Sequence, residues 1–162
     1  MADQHLATYL NDHLAGSVVA LELLEHLEAA HAGSALENFF AALRADIEAD
    51  RKELESLMSQ LNVAQSNMRK ATAWLTEKVT ELKLRVDDPA GGALRLLEAS
   101  EALSLGIEGK MALWRALAVV AKEVPRLRVV DYDRLIERAV DQRDRAEEVR
   151  LEAAKRALRP TP

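Results

Sequence analysis

Helix breakers are scarce in this chain, and most of them stand where helices would begin or stop. Its 162 residues hold six glycines and four prolines, and no stretch alternates apolar and polar residues as a half-buried strand would. Between the breakers, apolar residues recur at helical spacing. The spacing predicts an all-α fold with helices over about 3–30, 34–61, 89–123 and 131–158, and a shorter one over 66–85. Gly33 closes the first helix, and Ser34 with Glu37 forms a capping box for the second. Asp88 and Pro89 open the third helix, Pro125 stops it, and Asp131 caps the fourth. The stretch from Leu127 to Val130 is β-branched but short, and is expected to be a loop packed on the bundle end.

The joints predict the topology. Links between the first and second helices, and between the third and fourth, are short enough for antiparallel hairpins. About 30 residues separate the two hairpins, and within them Met68, Ala71, Leu75, Val79 and Leu82 share one face of the 66–85 helix. Four helices of about 28 residues would each span roughly 42 Å. An elongated, spectrin-like coiled coil is the alternative arrangement. One domain over 1–162 accounts for the whole chain, which is long enough to bury roughly 70% of its unfolded surface without metal or crosslinks.

Charge and composition exclude several functions. The absence of cysteine removes disulfides, thiolate metal ligands and cysteine nucleophiles. Net charge is −5, and residues 1 to 43 carry Asp3, Asp12, Glu22, Glu25, Glu28 and Glu37, all four histidines, and no lysine or arginine. An acidic chain without a basic stripe is a poor partner for nucleic acid. The first helix has no basic start and its apolar run ends at Glu22 and Glu25, so neither a signal peptide nor a membrane span is expected. A cytoplasmic location is the corresponding expectation.

Steps of about 100° per residue place polar side chains on faces that should be core. In the first helix His13 and Ser17 share a face with Leu10, Leu14 and Leu21. In the second, Asp50 and Arg51, with Glu48 nearby, flank the line through Leu43, Ile47 and Leu54. The third is traced through Leu94, Leu97, Glu101, Ser104, Glu108, Met111, Arg115 and Ala118, and the fourth through Tyr132, Ile136, Ala139, Arg143, Ala146 and Arg150. Antiparallel counting sets Glu108 level with Arg143, Glu101 nearer Arg150, and His13 and Ser17 level with Glu48 and Arg51. Buried charges are costly unless paired, so these residues should form an Arg–carboxylate network.

Two hairpins, one long crossover and polar residues meeting at mid-length resemble the ferritin-like superfamily. In its di-metal members the first and third helices each supply a glutamate, and the second and fourth each supply Glu-x-x-His. The resemblance implies a four-helix bundle with a short helix in the crossover, but the ligand motif departs from the pattern. The nearest match on the second helix is Glu48, Ala49, Asp50 and Arg51, with arginine in the histidine position. Arginine keeps its charge and cannot ligate metal. The leading expectation is therefore a non-catalytic, cofactor-free bundle with a structural or partner-binding role. The alternative is an oxidase or storage protein holding iron or manganese on His13, Glu48, Asp50, Glu101 and Glu108.

Other constellations are weaker. Glu22 with His26, and His5 with Tyr9, stand four residues apart on an outward face and are expected to be solvated. His13 faces inward and should hydrogen-bond a carboxylate such as Asp50. With every histidine on the first helix or just after it, hemerythrin-like iron binding is excluded. A lipid- or granule-coating role of phasin type conflicts with charges on the inner seam. Gly106 and Gly109 inside the third helix suggest close approach by the crossover, through Trp74, or by a second subunit. Val18, Val19 and Trp114 extend past the main stripes, which predicts a homodimer. The basic end, Lys155 to Pro162, is expected to be a tail.

Overall fold

The computed structural model describes residues 4–65, 77 and 92–160. Among them the chain forms α1 (Gln4–Ala30), α2 (Ala35–Gln60), α3 (Ala93–Val120), a turn of 3-10 helix at Pro125–Leu127, and α4 (Tyr132–Ala157). No strand occurs among the described residues.

The helix ends follow from local chemistry, with two departures from expectation. At the start of α2 the capping box forms only in part. Ser34 makes no side-chain cap bond, and its hydroxyl donates back to the His31 carbonyl at 2.7 Å. Glu37 instead accepts from the Gly33 N–H at 2.6 Å, one residue before the anticipated partner. At the other end of α2, Asn62 takes φ 55 and the Val63 N–H reaches the Met58 carbonyl at 2.9 Å. That is a left-handed helix cap with its 6→1 bond, closed by the buried side chain of Val63.

The second departure concerns α3, whose described helix begins at Ala93 behind Gly92, where φ is 89. The expected start at Asp88 and Pro89, and the connector with Trp74, lie outside the described residues. Asp131 caps α4 by accepting from the Arg134 N–H at 3.1 Å. Between α3 and α4, Arg128 donates to the carbonyls of Ala121 and Lys122 at 2.8 and 2.6 Å, satisfying the end of α3. Leu127 is buried in the same loop, and the Tyr132 hydroxyl donates to its carbonyl at 2.7 Å.

α1 packs on α2 and α3 on α4, while α1 also meets α3 and α2 meets α4. The four helices thus stand at the corners of a square, with α2 and α3 on a diagonal. One apolar cluster joins Leu24, Phe40, Leu97 and Ala153, and the other joins Leu10, Leu57, Leu117 and Leu135. These memberships set the helix directions: α2 runs parallel to α3, and α1 parallel to α4. α2 therefore ends at the opposite end of the bundle from the start of α3, about 39 Å away for a helix of 26 residues.

The inner faces of α3 and α4 differ from those traced in the sequence. On α3 the buried residues include Leu96, Leu97, Ser100, Leu103, Ile107, Met111, Trp114 and Leu117. Most lie one residue before the line through Glu101, Ser104, Glu108, Arg115 and Ala118, which is a rotation of about 100°. On α4, Tyr132, Ala139 and Ala146 are buried as traced, while Leu135 and Gln142 are buried in place of Ile136 and Arg143. The rotation exchanges charged groups for leucine, isoleucine and tryptophan in the core, avoiding their desolvation. It also takes Trp114 fully into the core beside Tyr132, with ring centroids 6.4 Å apart, instead of leaving it at an edge. Val19 is likewise buried, and Val18 half-buried.

Candidate functional site

A polar residue replaces an apolar one in each of three heptad ladders: Leu43, Asp50, Leu57 on α2; Leu96, Leu103, Lys110, Leu117 on α3; and Leu135, Gln142, Val149 on α4. All three ladders face inward, so the polar residues meet. Asp50 and Gln142 are each 1% exposed. Lys110 Nζ donates to Asp50 Oδ2 at 2.5 Å and to Gln142 Oε1. The Gln142 amide donates to the same Asp50 oxygen at 2.9 Å. Arg138 Nη2 stands 3.0 Å from Asp50 Oδ1 and donates to the Asp46 carbonyl at 3.3 Å. Asp46 in turn receives Arg145 at 2.5 Å.

One buried carboxylate is therefore held between two cations and an amide. Burial pushes the Lys110 ammonium below the ordinary lysine range, and the facing charge of Asp50 opposes that shift. A full reversal is resisted because a neutral lysine would leave Asp50 less compensated.

Of the residues anticipated from the sequence, Asp50 belongs to this network and the others stand elsewhere. Arg51 is half-buried and pairs with Glu55 on its own helix at 3.0 Å. Glu48 is exposed and lies 3.4 Å from Lys52. Glu108 lies 3.3 Å from Arg143 and 4.0 Å from Arg115, and Glu101 lies 3.5 Å from Arg150. Those pairs line an outer edge between α3 and α4 rather than the core, because of the one-residue rotation. Arg143 and Arg150 are shared with Asp144 and Glu147 at 2.9 and 2.7 Å.

His13 is half-buried and packs edge-on against Tyr9, centroids 4.7 Å apart, while Asp50 takes its hydrogen bonds from Lys110 and Gln142. Burial lowers the His13 pKa, with Asp12 pulling it back in part. Ser17 donates to the Leu14 carbonyl at 2.6 Å. His26 donates to the main-chain carbonyl of Glu22 at 2.7 Å. Among the described residues no three histidine or acidic side chains come together as a metal site would require.

Sequence reasoning missed Lys110, Gln142 and Arg138. The interrupted heptads were the available signal for Lys110 and Gln142. Arg138 had none, since it reaches the core from an intermediate position on α4.

Beside the network, between α1, α2 and α3, lies a cavity of about 230 Å³. His13, Ser17, Asp50, Arg51, Lys110 and Trp114 line it, together with Gly16, Gly106 and Gly109. The close neighbour anticipated for Gly106 and Gly109 is not found among the described residues: a Cβ at either would meet nothing within 4 Å.

No protein-family model, curated protein or solved structure matches this chain. Its residues alone carry the functional argument. No described helix is long and apolar enough to cross a membrane.

Proposed function

We propose that this chain is a non-catalytic, metal-free helical bundle of ferritin-like organisation, acting as a structural or binding protein. The helix order supports the organisation: two antiparallel hairpins whose inner helices run parallel are what one long crossover produces. The observation that carries the functional reading is the occupation of Asp50. Its carboxylate is engaged by hydrogen bonds from Lys110 and Gln142 and by the charge of Arg138, and a metal there would have to displace an ammonium and a guanidinium, neither of which can ligate it. Glu101 and Glu108, the carboxylates that would complete such a site, are engaged with arginines at an exposed edge.

Elemental analysis for iron and manganese, on purified protein and after anaerobic reloading, tests this reading. Metal far below one equivalent, with melting unchanged by chelator, is the expected result. About two metals per chain, as di-metal bundles hold, lost on replacing Asp50 and Glu108 by alanine, would overturn it.

A further inference from the structure

We infer that the cavity between α1, α2 and α3 binds a small apolar molecule ending in a carboxylate, with Lys110 receiving the head group. The inference rests on the reading of the bundle as a binding protein, which the metal analysis tests separately.

The first observation is the lining. Gly16 is internal to α1, and Gly106 and Gly109 to α3, where glycine is disfavoured relative to alanine. A Cβ at each would meet nothing within 4 Å, so no described neighbour requires its absence. What the glycines share is a place on the wall of this cavity. Its remaining surface is largely Leu54, Leu103, Ile107 and Leu113. Its volume of about 230 Å³ exceeds the roughly 150 Å³ of an apolar cavity that accepts benzene.

The second observation is the chemistry of the polar groups. An ammonium carries three donors, and Lys110 gives two to Asp50 and Gln142 among the described residues. Trp114 is 1% exposed and its indole N–H has no acceptor among the described residues. Arg51 uses Nε on Glu55 and retains its terminal nitrogens. Of Asp50, the buried acid on this wall, Oδ2 takes Lys110 and Gln142, while Oδ1 takes no hydrogen bond among the described residues and faces the Arg138 guanidinium at 3.0 Å. Lys110, Trp114 and Arg51 thus offer donors against one buried oxygen that a cation already compensates, and this selects a ligand that accepts hydrogen bonds. An anionic head also meets Lys110 and Arg51, the lysine and arginine of this wall. Asp12 lies on the same wall and is exposed, which favours the Lys110 side, away from its charge, for the head group.

Calorimetric titration of the full chain with octanoate, and with 1-octanol as its uncharged counterpart, tests the site. Saturable binding of octanoate, at least about tenfold tighter than octanol, is expected. Gly106→Leu should keep or raise Tm and weaken octanoate binding by about tenfold or more. Arg51→Gln, which leaves the Asp50 cluster intact, should weaken octanoate but not octanol. Absence of saturable binding, or equal affinity for the two probes, would overturn the proposal. So would a Gly106→Leu variant that loses Tm, since the space would then be filled by the chain itself, or one whose oligomeric state changes, since a second copy would then fill it.

Discussion

Lys110 reaches Asp50 across a diagonal of the bundle, Nζ to Oδ2 at 2.5 Å, from a helix that packs mainly on α4 and α1. A long flexible side chain spans the core between the two helices. Gln142 on α4 and Arg138 complete the crossing. The pair therefore links both hairpins at mid-length, and its removal should be felt by the whole bundle.

Lys110→Met strands Asp50 with Arg138 and Gln142, and Asp50→Leu strands Lys110. Breaking a buried pair from one side costs about 3 kcal/mol or more, whereas replacing both partners by apolar groups is often neutral. Urea unfolding of both single variants and of the double variant should show the double costing less than the sum. Additive losses would mean that the two residues do not interact.

The outer edge behaves differently. Glu108 and Glu101 keep about half of their side-chain surface in solvent, 49% and 58%. Pairs so exposed contribute under about 1 kcal/mol, so Glu108→Gln and Glu101→Gln should shift stability by no more than that, and less in high salt. A loss of several kcal/mol for either would place the residue in the core after all.

Acid should loosen the bundle through His13. Its pKa lies below 6.5 in the folded chain because burial disfavours the cation. The unfolded chain then takes up a proton more readily than the folded one. Stability is fully present above about pH 6.5 and is lost as pH falls through the folded value. His31 is shifted the same way by burial, so the comparison belongs in a His31→Gln background. Around His13 stand Asp12 on its own helix, Asp50 and Arg51 on α2, and Lys110 on α3. Adding His13→Gln should flatten the fall of Tm between about pH 7 and about pH 5. An unchanged slope would assign the acid sensitivity to other groups.

Tyr132 offers a spectroscopic check on the α3 to α4 corner. Burial pushes its phenol up to about 12. The chain has two tyrosines, so Tyr9→Phe isolates it, and phenolate absorbance should then rise only near 12. A midpoint near the ordinary value of about 10 would show the corner open. Because the folded pKa is raised, its contribution to stability is complete below about 10 and lost as pH climbs through the folded value. Tyr132→Phe should cost about 1 kcal/mol through the lost bond to the Leu127 carbonyl.

Antiparallel counting needed only loop length and helix rise to set Glu108 level with Arg143, and the two lie 3.3 Å apart. It could not say whether that level was inside or outside. Leu94, Leu97 and Met111 fit a line through the glutamates almost as well as Leu96, Leu103 and Ile107 fit the one before it. Asp50 was visible because it flanks the line through Leu43, Ile47 and Leu54; Leu43 and Leu57 also bracket it at heptad spacing. Lys110 has the same bracket in Leu103 and Leu117, but lysine near a helix face is usually a solvated group with a buried stem.

What the sequence determined by itself was the number and kind of elements: breakers at Gly33 and Pro125, the cap at Asp131 and the apolar spacing between them suffice for four long helices, because these signals act within a few residues. The rotation of α3 and α4 about their own axes, and with it the meeting of Asp50, Lys110 and Gln142, was decided only by the tertiary structure. A turn of about 100° for α3, and a smaller one for α4, leaves every backbone hydrogen bond and helix propensity unchanged. It alters only which side chains leave water, and that cost is settled when all four helices pack at once.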